Sequence, residues 1–129
     1  MKKSYWKIVV LLQALFVIFF VSEAFSKQLI ADRAVDTVVE WGNGKAYFFM
    51  GSQYVRFDIK ADRVDPGYPK SIKEWQRQGM PWADDIDAAV NWGNGKVYFF
   101  KGSQYMRFDI KLDRVDPGYP KSIKDWGLQ

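Results

Sequence analysis

Apolar and polar residues alternate along this chain in short runs, and each run is bounded by glycine, asparagine, aspartate or proline. In Gln104 to Lys111, Met106, Phe108 and Ile110 fall on one face of an extended chain and Tyr105, Arg107 and Asp109 on the other. Val38 to Trp41 reads as a first strand, Gly42-Asn43-Gly44 as a tight turn, and Lys45 to Met50 as a second strand. Gly51-Ser52 turns the chain into a third strand, Gln53 to Lys60, and Asp65-Pro66-Gly67 turns it again. Tyr68 to Trp75 fits either a short fourth strand or one helical turn. Pro69 cannot donate to a central ladder, which places this last element at an outer edge. The second strand is apolar on both faces: in Lys96 to Lys101, Val97 and Phe99 point one way and Tyr98 and Phe100 the other. Such a strand has to be covered on both sides. The pattern is all-β, built from small antiparallel sheets that stack face to face.

The same pattern occurs twice. Asp36–Trp75 and Asp87–Trp126 align without a gap at an offset of 51 residues, and eight differences leave 32 of 40 positions identical. A repeat of this length is one supersecondary unit that buries its faces against copies of itself. Residues 36–75 and 87–126 are therefore the two structural units, and residues 76–86, rich in glycine, proline and charge, are the linker. Three differences, Met50 against Lys101, Glu40 against Asn91 and Ala61 against Leu112, mark positions expected at the surface.

Few catalytic chemistries remain open. The chain has no cysteine and no histidine, which excludes disulfides, thiolate metal sites and nucleophile–histidine pairs. Asp62, Asp65, Asp113 and Asp116, and the group Asp84, Asp85 and Asp87, show no calcium-loop spacing and read as turn residues. Arg56 with Asp58, and Arg107 with Asp109, sit two apart on one strand face. They read as same-face charge pairs tying the third strand to its neighbours rather than as an anion grip. Trp41, Trp75, Trp92 and Trp126, with Tyr47, Tyr54, Tyr98 and Tyr105, read as core between the units rather than as a ligand platform.

The first residues form a separate segment. Lys2, Lys3 and Lys7 precede an apolar run from Ile8 to Val21, and Ser22-Glu23-Ala24 offers small residues for cleavage. This is a secretory signal over residues 1–24, or 1–26 with the later cleavage site. Cleavage would leave Phe25 or Lys27 as the mature N-terminus; the rival reading is an uncleaved membrane anchor. The net charge of +4 falls to +2 once residues 1–24 are removed, so no concentrated basic stripe points to nucleic acid. An exported chain without cysteine fits a secreted or periplasmic location.

In the second repeat the residues D-A-A, G-K-V-Y-F-F-K-G, Y-M-R-F-D, V-D-P-G-Y-P-K-S-I and a closing tryptophan resemble the hemopexin repeat, and the first repeat carries the same anchors in order, with Thr37-Val38 where the second has Ala88-Ala89. The resemblance covers Asp36 to Trp126. It implies a four-bladed β-propeller with one four-stranded blade per repeat and the first strand of each blade lining an axial channel. It also implies that backbone carbonyls of Asp36 and Val38, and of Asp87 and Ala89, face that channel and bind a cation such as calcium. The chain departs from the family in having two repeats rather than four, no cysteine clamp, and no histidine for a haem site. Two blades do not close a ring and leave apolar faces uncovered. A homodimer is the simplest closure; an incomplete gene product or a partner supplying the other half are the alternatives. The function implied is an exported non-enzymatic module that binds a protein or small ligand. The alternative is a structural or storage protein without a specific ligand, as seed-albumin members of the family suggest.

Overall fold

The computed structural model describes residues 34–128. The signal segment, and with it the choice between cleavage and anchoring, lies outside the described residues. Among those residues no helix is long and apolar enough to cross a membrane.

Each repeat folds as one twisted antiparallel sheet. In the first, β1 (Thr37–Glu40), β2 (Lys45–Met50) and β3 (Gln53–Asp58) follow as hairpins, and β4 (Arg63–Val64) and β5 (Lys70–Ser71) both pair with β3. The second repeats this with β6 (Ala88–Asn91), β7 (Lys96–Lys101), β8 (Gln104–Asp109), β9 (Arg114–Val115) and β10 (Lys121–Ser122). The fourth blade position is thus shared. β4 meets β3 at Phe57 and Asp58, and β5 meets it at Gln53 and Tyr54. The open choice at Tyr68–Trp75 resolves as both elements in sequence: two residues of outer strand after Pro69, then a 3-10 helix over Ile72–Gln78. Ser71 caps that helix by accepting from the Lys73 N–H, and Gly79 ends it at φ 87°, where a residue with a Cβ is strained. Boundaries move slightly from expectation. The first strand starts at Thr37 and ends before Trp41, and the third ends at Asp58 because the Asp58 carboxylate accepts from the Ala61 N–H and turns the chain.

The register sorts side chains onto two faces. Tyr47 pairs with Val39 and Arg56, and Phe49 pairs with Thr37 and Tyr54. Val39, Trp41, Tyr47, Phe49 and Tyr54 therefore share one face of the first blade, here the ring face. The opposite face, the back face, carries Ala46, Phe48, Val55 and Phe57. Blade two repeats the arrangement at +51. The blades stack head to tail: the ring face of blade one packs on the back face of blade two. Trp41 lies 5.5 Å from Phe108, Phe49 lies 5.6 Å from Phe99, and Trp75 lies 5.6 Å from Phe108 between ring centroids. Val97, Phe99, Met106 and Phe108 are fully buried in this joint.

Three expectations are corrected by this packing. The tryptophans do not all enter the core: Trp41 and Trp75 are 8% and 5% exposed, but their counterparts Trp92 and Trp126 are 54% and 39% exposed. Met50 is not at the surface but buried, at 2% exposure, on the back face with Ala46 and Val55, whereas its counterpart Lys101 donates to the Asp84 backbone carbonyl at 2.7 Å. The linker is not merely a spacer. Its first residues complete the 3-10 helix, and Met80, Trp82 and Ile86 are buried in the core between the blades.

Candidate functional site

The inner strands β1 and β6 lie side by side along one edge of the joint. The Ala89 N–H donates to Thr37 Oγ1 at 3.1 Å, and Asn91 Nδ2 donates to the Glu40 carbonyl at 3.1 Å. In an antiparallel pair the N–H and C=O of one residue point to the same side. The backbone polar groups of Ala89, and by equivalence of Val38, therefore point away from their own hairpins. Asp36 and Asp87 directly precede the inner strands. Their carboxylates turn back into their own blades: Asp36 accepts from the Gly51 N–H at 2.7 Å and Asp87 from the Gly102 N–H at 2.6 Å. Each backbone N–H also bonds across its hairpin, to Phe49 O and Phe100 O. These two aspartates thus clip the second turn of each blade to the start of its first strand. Neither carboxylate is therefore directed at the inner edge. Among the described residues no group of three or more acidic side chains is placed to hold a metal ion.

The aspartates near the turns have another role. Lys45 Nζ donates to Asp58 at 2.8 Å and to Asp65 at 2.9 Å, and Arg56 Nε donates to the same Asp65 at 2.6 Å. Lys96, Asp109, Asp116 and Arg107 repeat the network. Arg56 and Asp58 therefore do not pair with each other. Each pairs across to a neighbouring segment, and together they tie β2, β3 and the chain after β4 into one unit. Asp65 and Asp116 are the hubs of these networks and not only turn formers. A signal for this was present, since Lys45 stands opposite Asp58 in the ladder. The hub itself was not legible, because nothing in the spacing says that Asp65 folds back onto β3. Tyr68 and Tyr119 complete each cluster, with Arg56 at 5.3 Å and Lys70 at 5.0 Å from the Tyr68 ring centre. The Asp84, Asp85 and Asp87 group disperses: Asp84 meets Lys101, Asp85 takes φ 49° in the linker turn, and Asp87 clips its own hairpin.

The electrostatics are those of structural ion pairs. Lys45 holds the carboxyl of Asp58 below its ordinary 3.8, and Lys45 with Arg56 does the same for Asp65. Lys96 lowers Asp109. At Asp116 burial pushes upward, but Lys96 and Arg107 outweigh it and the net shift is down. The same bonds raise Lys45 and Lys96 above 10.5, and burial pushes the Tyr54 hydroxyl up to about 12. A carboxyl held below its unfolded value adds stability above about pH 4 that is lost as pH falls through the folded value. The raised lysines and Tyr54 add stability below about pH 10 that is lost as pH rises past it. Melting temperature measured across pH should therefore show a plateau from about pH 5 to pH 9 and fall on both sides. A protein equally stable at pH 2.5 and pH 7 would remove these networks from the account of stability.

A family model described as Hemopexin matches residues 35–79 and 86–129. Vitronectin from Sus scrofa is 46% identical over 102 residues, covering 77% of this chain and 20% of the relative. Matrix metalloproteinase-25 from Mus musculus is 44% identical over 85 residues, covering 65% of this chain and 13% of the relative. Among solved structures, a hemopexin fold protein, CP4 from cow pea, superposes with a TM-score of 0.61 at 25% identity, over 71% of this chain and 43% of that one. The chain thus spans about a fifth or less of these two relatives and under half of the solved protein.

Proposed function

The chain belongs to the hemopexin family, and on that premise we propose that it is an exported, non-catalytic binding module whose inner strand edge takes a hard cation such as calcium. The observation that supports this reading is the outward-pointing backbone of the inner strands at Val38 and Ala89. With the Asp36 and Asp87 carboxylates committed to the Gly51 and Gly102 N–H groups, the proposed ligands are the backbone carbonyls of Val38 and Ala89, which point away from their own hairpins, and those of Asp36 and Asp87, which the family resemblance implies. Neutral oxygens in this number suit calcium, with further oxygens completing six to eight ligands. They also predict modest affinity, since no formal charge faces the ion. A bound cation would supply charge at the axis and hold the inner strands together; the residues named here only position it. Catalysis is disfavoured on chemical grounds. The chain lacks histidine and cysteine, and among the described residues the perturbed carboxyls, Asp58, Asp65, Asp109 and Asp116, are shifted down, which makes them weaker bases and leaves no proton to give near neutral pH. Export rests on the signal pattern of residues 1–24.

The test is thermal unfolding with calcium against chelator, with elemental analysis of the purified protein. Calcium should raise the melting temperature with its concentration. Asp87→Asn should keep the effect, because an amide oxygen can still accept from Gly102. Asp87→Pro should abolish it, because proline removes the N–H that bonds Phe100 O. An unchanged melting temperature and no metal would leave a structural or storage protein as the better reading.

A further inference from the structure

The single joint inside this chain is asymmetric, since a ring face meets a back face. Among the described residues, therefore, one blade surface of each kind has no other blade against it. At one end is the ring face of blade two, with Val90, Trp92 and Trp126 exposed and Tyr98 and Phe100 half-buried. At the other is the back face of blade one, where Ala46, Met50 and Val55 are buried but Phe48 and Phe57 are only partly buried, while their counterparts Phe99 and Phe108 are fully buried. Val35, the counterpart of the fully buried Ile86, is also exposed. Because the repeats are near copies, these two surfaces carry the same residue types that meet inside the chain. Trp92 stands for Trp41, Trp126 for Trp75, Phe48 for Phe99 and Phe57 for Phe108.

We infer that the occupant of both surfaces is a second copy of this chain. Blade two of each copy seats on blade one of the other, through the contacts already made at the internal joint. A head-to-tail contact repeated without closure would grow a filament. Two copies instead form two equivalent joints around a two-fold axis and leave no aromatic face open.

The closing joint differs from the internal one in a way that can be tested. Internally, Thr37 Oγ1 accepts from the Ala89 N–H and Asn91 Nδ2 donates to the Glu40 carbonyl. At the closing joint Ala88 replaces the acceptor Thr37, and Glu40, which cannot donate, replaces Asn91. Both polar links are missing, so the dimer should part before the blades of one chain do. Restoring them with E40N and A88T should tighten the dimer. The turn survives the first change, because Asn91 Oδ1 accepts from the Gly93 N–H at 2.9 Å just as Glu40 accepts from the Gly42 N–H at 2.8 Å.

The experiment is sedimentation equilibrium of the chain and its variants at micromolar concentration, with circular dichroism confirming the fold of each. The parent chain should be a closed dimer that does not grow with concentration. Trp92→Glu, at an exposed site, should leave the blades folded and weaken the dimer by roughly thirtyfold or more. The E40N/A88T pair should strengthen it by about fivefold or more. A folded monomer, open-ended growth, a dimer indifferent to Trp92→Glu, or no tightening in the double variant would each overturn the inference. Calcium is absent from these experiments, so their outcome is separate from that of the cation test.

Discussion

Phe99→Asp should yield no folded protein. The Phe99 ring is fully buried and packs on Phe49 at 5.6 Å, Trp75 at 6.0 Å and Trp41 at 6.4 Å across the internal joint. Truncating a buried phenylalanine costs about 3–5 kcal/mol, and the aspartate adds a charge with no partner among aromatic rings. Domains of this size have roughly 5–15 kcal/mol of stability in total, so the loss removes most or all of it. The check is a soluble-fraction assay with far-ultraviolet circular dichroism. A soluble variant with the parent spectrum would mean that blade two does not depend on the joint. The reason for the large effect is geometric. Phe99 is a central residue of the middle strand β7 on a face that meets three aromatic rings, and no rotamer carries a carboxylate from there to water.

The second large effect is a contrast between two chemically identical changes. Trp41→Ala should cost about 3–5 kcal/mol of chain stability, whereas Trp92→Ala should cost about 1 kcal/mol or less under conditions where the chain is monomeric. Trp41 is enclosed by Tyr47 at 4.8 Å, Trp75 at 5.6 Å and Phe108 at 5.5 Å. Trp92 keeps the equivalents of the first two, Tyr98 at 4.7 Å and Trp126 at 6.2 Å, but has no ring from a further blade. Among the described residues no ring of another blade covers the Trp92 indole, which is 54% exposed. Urea unfolding of both variants, at a concentration below dimer formation, measures the two costs. Equal losses would show that the intrablade contacts carry the tryptophan's contribution and that the joint adds little.

Much of the blade is local and was legible for that reason. Gly42-Asn43-Gly44, Gly51-Ser52 and Asp65-Pro66-Gly67 end strands by their own conformational preferences, and the alternation in β7 and β8 sorts side chains onto faces without reference to anything distant. Pro69 placed the last strand at an outer edge because a missing N–H has the same consequence in any context. The resemblance to hemopexin repeats rests on these same local anchors. The site was legible only in part. Asp36 and Asp87 stand where the inner strands begin, but their side-chain bonds to Gly51 and Gly102 depend on how the hairpin closes, and the hub role of Asp65 depends on a chain reversal that no spacing announces.

By itself, then, the sequence determined two equivalent blades, their strands, their turns and the two faces of each sheet. Only the tertiary structure decided which faces are covered. Trp41 and Trp92 occupy equivalent positions in repeats that agree at 32 of 40 residues, so nothing local distinguishes them. One becomes core and the other surface because two units stacked head to tail have one joint and two ends. The same asymmetry buries Ile86 while leaving Val35 exposed, and it draws Met80 and Trp82 of the linker into a core that exists only between blades. Burial belongs to the assembly of units, and a repeat cannot encode which of its copies stands at the end.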